Sequence, residues 1–349
     1  MSPPVVILTP NLCGRDGISR LSRLVADTFD QVTVLALHEP VSVTQSGHAR
    51  VCGAAGWSSK FAALTVRHAG SADRRTRVIV THLHLAPAAL PFAAAGASIT
   101  TLLCGVEAWT PVRRLQRLAL NEAARLIAIS QFTIDGFRKA NPHFVNTTID
   151  VCHLGVAPLD AVDSPSRAAA SALIVGRMAE DERYKGHDAL LEIWPEVAAV
   201  VPGASLRIVG DGDDRVRLEA KAAALQLGDR VTFVGPVGDD ALLREYAQCT
   251  AFVMPSRDEG FGFVFVEAMR AARACVGSRG AAAEIIADGE TGLLVDADDR
   301  RQLLSGVVRV LGDRAATAAM GACGRERFLQ QFTEAQFRER FNALLPVPA

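Results

Sequence analysis

The residues best suited to chemistry in this chain lie in one stretch, Ser256-Arg257-Asp258-Glu259-Gly260-Phe261-Gly262-Phe263-Val264-Phe265-Val266-Glu267-Ala268-Met269. Two glutamates, Glu259 and Glu267, bracket seven residues there. The apolar run 251–255 before it reads as a buried strand, and the apolar segment after the glycines reads as a helix through 272. A helix that starts just after a tight turn points backbone N–H groups and the positive end of its dipole into that turn, which suits an anion such as a phosphate. Glu259 falls in the turn, where a carboxylate can face a polar ligand. Glu267 falls about two turns into the helix, in an apolar setting where an unpaired charge is costly. The vicinal diol of a nucleotide ribose would give it two hydrogen-bond partners.

Other candidate groups admit more than one reading. Arg177 and Lys185 flank a polar loop after the strand 171–175. A diphosphate needs such charge neutralisation, and arginine adds a planar fork. The acidic residues between them, Glu180-Asp181-Glu182, equally suit a solvated loop with local ion pairs. Cys13-Gly14-Arg15-Asp16-Gly17-Ile18 follows the first strand and opens a helix. Gly14 and Gly17 either let backbone approach a ligand closely or simply form the turn. Arg15 and Asp16 either cap the helix or touch substrate. His82 and His84 alternate on a strand end and read as structural or pocket-lining. A metal would need further ligands at suitable spacing, and no such set is evident. Asp211-Gly212-Asp213-Asp214 and the segment 296–299 read as turns and helix caps rather than cation sites. Cys104 reads as a small buried residue, with Glu107 close by. Arg113, Arg114, Arg117 and Arg125 punctuate an apolar helix just after Trp109. They form either a basic amphipathic face for a membrane or a solvated face over a core.

The elements that position these groups follow an alternating pattern of short apolar runs and amphipathic segments, the mark of parallel sheets with crossover helices. The first half predicts strands over 5–8, 32–37, 77–81, 98–103, 125–128 and 148–151. It predicts helices over 18–30, 87–95, 111–122 and 131–139, with Pro111 at the first helical position and Ser130 as an N-cap. The turn-rich segment 157–166 marks a linker. A second series predicts strands over 171–175, 205–209, 231–234, 250–254, 274–277 and 292–295. Helices over 186–200, 213–225, 239–248 and 263–272 lie between them, with further helices over 300–312, 316–330 and 333–345. The fold class is therefore α/β with two doubly wound, Rossmann-like sheets. Ligands bind such sheets at the carboxyl ends of the strands.

Composition supports two domains with proper cores: 349 residues, 49% hydrophobic and 21% charged, which excludes a disordered chain. The net charge of −1 conceals an asymmetry. Residues 1–150 carry 15 Lys and Arg against 9 Asp and Glu, and the remainder carries 22 against 29. A basic first half suits an anionic partner or membrane surface, or reflects ordinary scatter. Seven dispersed cysteines without a paired spacing argue against a disulfide framework or a zinc site and suit a reducing cytoplasm. The first residues show no secretory leader. The uncharged stretch 85–106 is long enough to span a bilayer, but its prolines, Gly96 and hydroxyl residues favour a strand–helix–strand unit. Aromatics at 6% and the absence of a nucleic-acid motif exclude base stacking.

The stretch from Glu259 to Glu267 resembles the glutamate-seven-residues-glutamate motif of retaining GT-B glycosyltransferases of family 4. Gly176-Arg177-Met178 with Lys185-Gly186-His187, Gly210-Asp211-Gly212, Phe233-Val234-Gly235 and Gly289-Glu290-Thr291-Gly292-Leu293-Leu294-Val295 fall in the family's order. The likeness is strong over 172–332 and looser before it. It implies a GT-B fold of two Rossmann-like domains facing across a cleft. An acceptor domain would occupy 1–165, a nucleotide-sugar domain 166–330, and a last helix over 331–349 would cross back onto the first domain. It implies transfer of a mannose- or glucose-type hexose from a GDP- or UDP-sugar to an acceptor hydroxyl, without a required metal or other cofactor. A lipid-linked oligosaccharide in polysaccharide synthesis is one acceptor class that fits, at the inner face of the cytoplasmic membrane.

By the same resemblance Arg177 and Lys185 hold the donor diphosphate, Glu259 lies by the transferred sugar, and Glu267 holds the ribose. Gly14, Gly17, Val237, Gly262, Phe263 and Val264 line the donor site. Arg15, Asp16, His84, Cys104 and Glu107 stand near the acceptor or sugar. Exopolysaccharide members resemble His-Gly-x-Glu-x-Trp where this chain has Cys104-Gly105-Val106-Glu107-Ala108-Trp109. A thiol carries no stable positive charge and reaches less far than imidazole. A nucleotide-sugar epimerase and a non-catalytic nucleotide-sugar-binding protein are the alternatives. An epimerase needs acid/base groups around the sugar ring, and no convincing set is apparent. A glycosidase pair must flank one bond at fixed separation, whereas Glu259 and Glu267 differ in depth and direction.

Overall fold

A computed structural model describes residues 3–14, 16–159 and 170–346. The chain divides into two compact units, Met1–Gly155 with Glu334–Ala349, and Val156–Thr333. The sheet of the first unit contains β1 (Val5–Thr9), β2 (Val32–Ala36), β3 (Val43–Ser46), β4 (Ala49–Gly53), β5 (Arg77–Val80), β6 (Ser98–Leu103), β7 (Arg125–Ala128) and β8 (Asp150–Val151). Their order is β3-β4-β2-β1-β5-β6-β7-β8. Neighbours run parallel except the antiparallel pair β3 and β4 at one edge. Every residue of β1 is buried, because crossover helices cover both faces of a parallel sheet. Those helices are α1 (Gly17–Ala26), α2 (Ser58–Ala69), α3 (Leu90–Ala94), α4 (Arg114–Asn121) and α5 (Gln131–Ala140).

Several local expectations change. The segment 38–76, for which the pattern predicted no element, folds as the β3–β4 hairpin and α2. The α4 helix starts at Arg114, so Pro111 is not its first residue. Asn141 holds the chain extended there: its Oδ1 accepts the Val112 N–H at 2.8 Å, and its Nδ2 donates to the Thr110 carbonyl at 3.1 Å. Gln116 then accepts the Arg113 N–H at 2.8 Å and caps the helix. The helix expected over 87–95 is a 3-10 helix over Leu83–Ala89 followed by α3. The apolar stretch 85–106 is thus divided among several elements, and no helix of the described residues is long and apolar enough to cross a membrane. Ser130 does cap α5, its hydroxyl accepting the Thr133 N–H at 3.0 Å.

The second unit holds β9 (Ser171–Val175), β10 (Ser205–Val209), β11 (Val231–Gly235), β12 (Ala251–Met254), β13 (Ala274–Ser278) and β14 (Gly292–Val295). All neighbours are parallel, in the order β11-β10-β9-β12-β13-β14. Its helices are α6 (His187–Val200), α7 (Arg215–Ala224), α8 (Asp239–Gln248), α9 (Phe263–Arg270), α10 (Ala282–Ile285), α11 (Arg300–Gly312) and α12 (Arg314–Gln331). The last helix, α13 (Glu334–Leu344), belongs to the first unit. Its Phe337 and Phe341 are buried, and its Arg340 guanidinium donates to the His153 carbonyl at 2.9 Å.

Candidate active site

In the second unit successive strands add outward from β9 in one direction, and β12 then begins the other half. The order of strand addition reverses between the parallel neighbours β9 and β12, and the crevice outside the carboxyl ends of such a pair is where doubly wound sheets bind ligands. The loops after these two strands carry Arg177 to Lys185 and Ser256 to Gly262. The Arg257 N–H donates to the Tyr184 carbonyl at 3.0 Å and ties one loop to the other. Gly186 makes the approach possible. Its φ is +91°, and a Cβ there would lie 2.9 Å from the Pro255 carbonyl oxygen.

Arg177 and Lys185 are joined by one carboxylate, that of Glu182. Glu182 Oε2 accepts from Lys185 Nζ at 2.7 Å and from Arg177 Nε at 3.1 Å, while its Oε1 accepts from the terminal guanidinium nitrogen of Arg177. Burial raises the carboxyl pKa of Glu182, but the hydrogen bonds from Arg177 and Lys185 hold it below its ordinary value. The Glu182 side chain is 13% exposed and that of Arg177 is 63% exposed, so the guanidinium keeps an open face toward solvent. Glu259, on the neighbouring loop, is half-buried. Desolvation pushes its carboxyl up, Lys185 pulls it down, and Glu182 pushes it up again.

The α9 helix begins at Phe263, directly after Gly262 in a left-handed conformation with φ +95°. A Cβ at Gly262 would come within 2.7 Å of the Phe265 ring. Phe263 and Val264 are half-buried at this N-terminus. Glu267 is buried one turn further, and its Oε2 accepts from the Tyr246 hydroxyl at 3.0 Å. Tyr246 comes from α8 and is fully buried. Val237 lies in the connection from β11 to α8 and is half-buried. His187, the first residue of α6, is buried and its imidazole is pushed down to about 4, mainly by desolvation and then by Lys185. Asp214 does not cap α7 with its side chain. Arg183 and Arg217 hold it instead, at 2.8 and 2.6 Å. Asp299 does cap α11, accepting from the N–H groups of Arg301 and Gln302.

The first unit gathers a second set at the ends of β1, β5 and β6. Gly14 lies in the loop after β1, where Glu39 Oε1 accepts the Leu12 and Cys13 N–H groups at 3.0 and 2.7 Å. Arg23 donates to the Gly14 carbonyl at 2.6 Å. Asp16 caps α1 by accepting the Ser19 N–H at 2.9 Å, and Gly17 is the first residue of that helix. Arg15 lies outside the described residues. His82 and His84 sit at the start of the 3-10 helix after β5, not on the strand. The His84 N–H donates to His82 Nδ1 at 3.3 Å, and the two rings meet edge to face. Strand pairing stops at Val80, because the backbone turns there into the 3-10 helix. Cys104 is buried. Its thiol donates to the Thr81 carbonyl at 3.2 Å, and its N–H donates to Glu107 Oε1 at 2.9 Å. Burial, then the Glu107 charge, pushes the thiol well up, so it stays neutral.

Beside this set, a pocket of ≈ 770 Å³ is lined by His84, Pro87, Pro111, Arg113, Arg114 and Leu115 among others. Neither arginine is ion-paired among the described residues. No group of three or more His, Cys, Asp or Glu placed to hold a metal occurs among the described residues. One functional candidate, Tyr246, escaped the sequence reading, while Glu182 was read only as part of a charged loop and His187 only within the family's order of motifs. Tyr246 carried one available signal, since the chain has only two tyrosines. Local ion pairs were one of the two readings of the Glu182 loop, and the 3-10 turn over Glu180–Lys185 realises them with Arg177 and Lys185.

Residues 169–313 match the family model of the glycosyl transferases, group 1. The segment that carries Arg177, Lys185, Glu259 and Glu267 is thus similar to the group 1 glycosyl transferases. Among its relatives is a GDP-mannose-dependent alpha-(1-6)-phosphatidylinositol monomannoside mannosyltransferase of Mycobacterium tuberculosis. The two are 37% identical over 150 residues, 41% of this chain and 39% of the relative. A lipopolysaccharide core biosynthesis mannosyltransferase, LpcC, of Rhizobium leguminosarum is 37% identical over 157 residues, 42% of this chain and 43% of the relative. The matched segment thus spans about two fifths of these curated relatives. Anabaena HepE, solved in complex with UDP and glucose, superposes with a TM-score of 0.78 at 18% identity and covers 98% of both chains. The chain shares this GT-B fold, as the sequence resemblance implied.

Proposed function

We propose that the chain is a retaining glycosyltransferase that moves a mannose- or glucose-type hexose from a nucleoside diphosphate sugar to an acceptor hydroxyl. The observation that carries this reading is the convergence of Arg177, Lys185 and the start of α9 at the β9/β12 crevice, with Glu259 and Glu267 on the same β12–α9 segment. In this reading the two cations and the helix N-terminus bind the diphosphate of the donor. Glu267, already oriented by Tyr246, takes the ribose hydroxyls, and Glu259 takes hydroxyls of the hexose. Gly262, Phe263, Val264 and Val237 line the nucleotide.

In the reaction the bond from the sugar's anomeric carbon to the phosphate oxygen breaks while the acceptor oxygen bonds to that carbon from the same face. The acceptor proton passes to the departing phosphate oxygen. Negative charge grows on the leaving group, and Arg177, Lys185 and the α9 dipole stabilise it where it develops. The names of the relatives favour GDP-mannose as donor, and HepE extends the choice to UDP-sugars. The basic pocket of the first unit, with His84, Arg113 and Arg114, is the proposed acceptor side, with Asp16, Cys104 and Glu107 nearby. A lipid-linked acceptor suits it, and the exposed Leu115 and Leu118 beside Arg114 and Arg117 suit contact with an anionic bilayer at the cytoplasmic face.

Thermal shift against GDP, UDP and their sugar conjugates tests the donor assignment, since a ligand stabilises the native state according to its affinity. Arg177→Ala or Lys185→Ala is expected to lower kcat by about 100-fold or more, the scale of a lost charge-stabilising group. Cys104→Ala is expected to retain most activity. Normal turnover by the arginine and lysine variants would remove the basis of the proposal.

A further inference from the structure

We propose that Glu182 is a built-in counter-anion that holds the place of the donor diphosphate on Arg177 and Lys185 and is displaced when the donor binds. The inference rests on the reading above that these two cations grip the diphosphate. Its own ground is geometric. One carboxylate bridges both cations, with Lys185 Nζ at 2.7 Å and Arg177 Nε at 3.1 Å, and it meets the guanidinium with both oxygens. That fork-on-fork arrangement is the one a phosphate adopts on arginine. The carboxylate therefore stands where phosphate oxygens would bind.

Charge counting forces the displacement. Arg177 and Lys185 supply the positive charges, and Glu182 already offsets one of them. A diphosphate brings about two further negative charges, and like charges at such separations repel by about 1 to 4 kcal/mol per pair, depending on solvent access. Moving Glu182 out releases both cations at once. The loop permits that movement. Glu182 sits in the short 3-10 turn over Glu180–Lys185 with its own backbone outside the helical region, at φ −115° and ψ 23°. The turn ends at Gly186, whose left-handed backbone already breaks the helical run.

Two effects follow for the reaction. Without donor, Glu182 keeps Arg177 and Lys185 oriented at the crevice instead of free in solvent. After transfer, it competes with the released nucleoside diphosphate for the same cations and speeds product departure. Glu182 is thus a positioning residue, acting through Arg177 and Lys185.

Glu182→Gln keeps the size of the side chain and removes its charge, and Glu182→Asp keeps the charge on a shorter stem. The probes are GDP and UDP, with guanosine and uridine as controls lacking phosphate, and calorimetry reads the affinities. Glu182→Gln is expected to lower the Kd for the nucleoside diphosphate about tenfold, equivalent to about 1.4 kcal/mol. Nucleoside affinity should stay unchanged, and kcat and the donor KM should fall together as product release slows. Glu182→Asp should stay near wild type. Unchanged or weaker diphosphate binding in Glu182→Gln, with nucleoside binding intact, overturns the inference alone. Loss of nucleoside and diphosphate binding together makes Glu182 a structural support and also overturns it. Failure of wild type and variants alike to bind GDP or UDP brings down the donor-site reading itself, and this inference with it.

Discussion

Tyr246 and Glu267 form a buried pair in which a phenol orients a carboxylate. Removing that hydroxyl takes one donor from a buried anion, a loss of about 1–3 kcal/mol. Tyr246→Phe is therefore expected to lower the urea midpoint of the second unit and to weaken nucleoside binding, because the carboxylate loses its fixed orientation. His187 sets a pH dependence that comes from burial rather than from an ion pair. Its folded pKa is about 4 against an ordinary 6.5, so between those values the unfolded chain binds the proton and the folded chain does not. Stability from the neutral imidazole is complete above about pH 6.5 and is lost as pH falls toward 4, by about 3 kcal/mol at most. Guanidinium titrations at pH 7 and pH 4.5 should show that loss, and His187→Gln should flatten it. If the variant keeps the wild-type slope, the acid sensitivity belongs to other groups.

The elements that carry the candidate site depend on glycines in left-handed backbone. Gly262→Ala puts a side chain at φ +95° and a Cβ within 2.7 Å of the Phe265 ring. The expected outcome is a loss of about 1–3 kcal/mol from strain and weaker binding of GDP or UDP, as the start of α9 moves. Calorimetry on the folded variant checks both. Much at this scale was legible in the residues. The strands β9 to β14 are short apolar runs, and Glu259, Glu267, Arg177 and Lys185 stood out by type and spacing. The hairpin of β3 and β4 did not, because Val43-Thr44-Gln45-Ser46 offers a single apolar side chain and gains its pairing from the turn at Gly47. The α2 helix hid for a related reason: Trp57 precedes it without any side-chain cap. Asp214 read as a turn and helix-cap residue because its ion pairs with Arg183 and Arg217 join the loop after β9 to α7. Pairings between distant segments leave no local pattern.

At the level of the whole molecule, the first unit is assembled from both ends of the chain. Phe337 and Phe341 of α13 are 1% and 0% exposed, and α13 belongs to the unit built from the residues before 156. Phe341→Ala is expected to cost about 3–5 kcal/mol. Hydrogen exchange should rise through the first unit and stay unchanged in the β9–β14 sheet. A rise spread evenly over both sheets would count against this division of the cores. The placement of α13 also orders events on the ribosome. Domains tend to fold as they emerge, yet the β1–β8 sheet lacks α13 until the entire β9–β14 sheet has been translated. The later-made half can therefore reach its native state first, while the earlier half waits for its last helix.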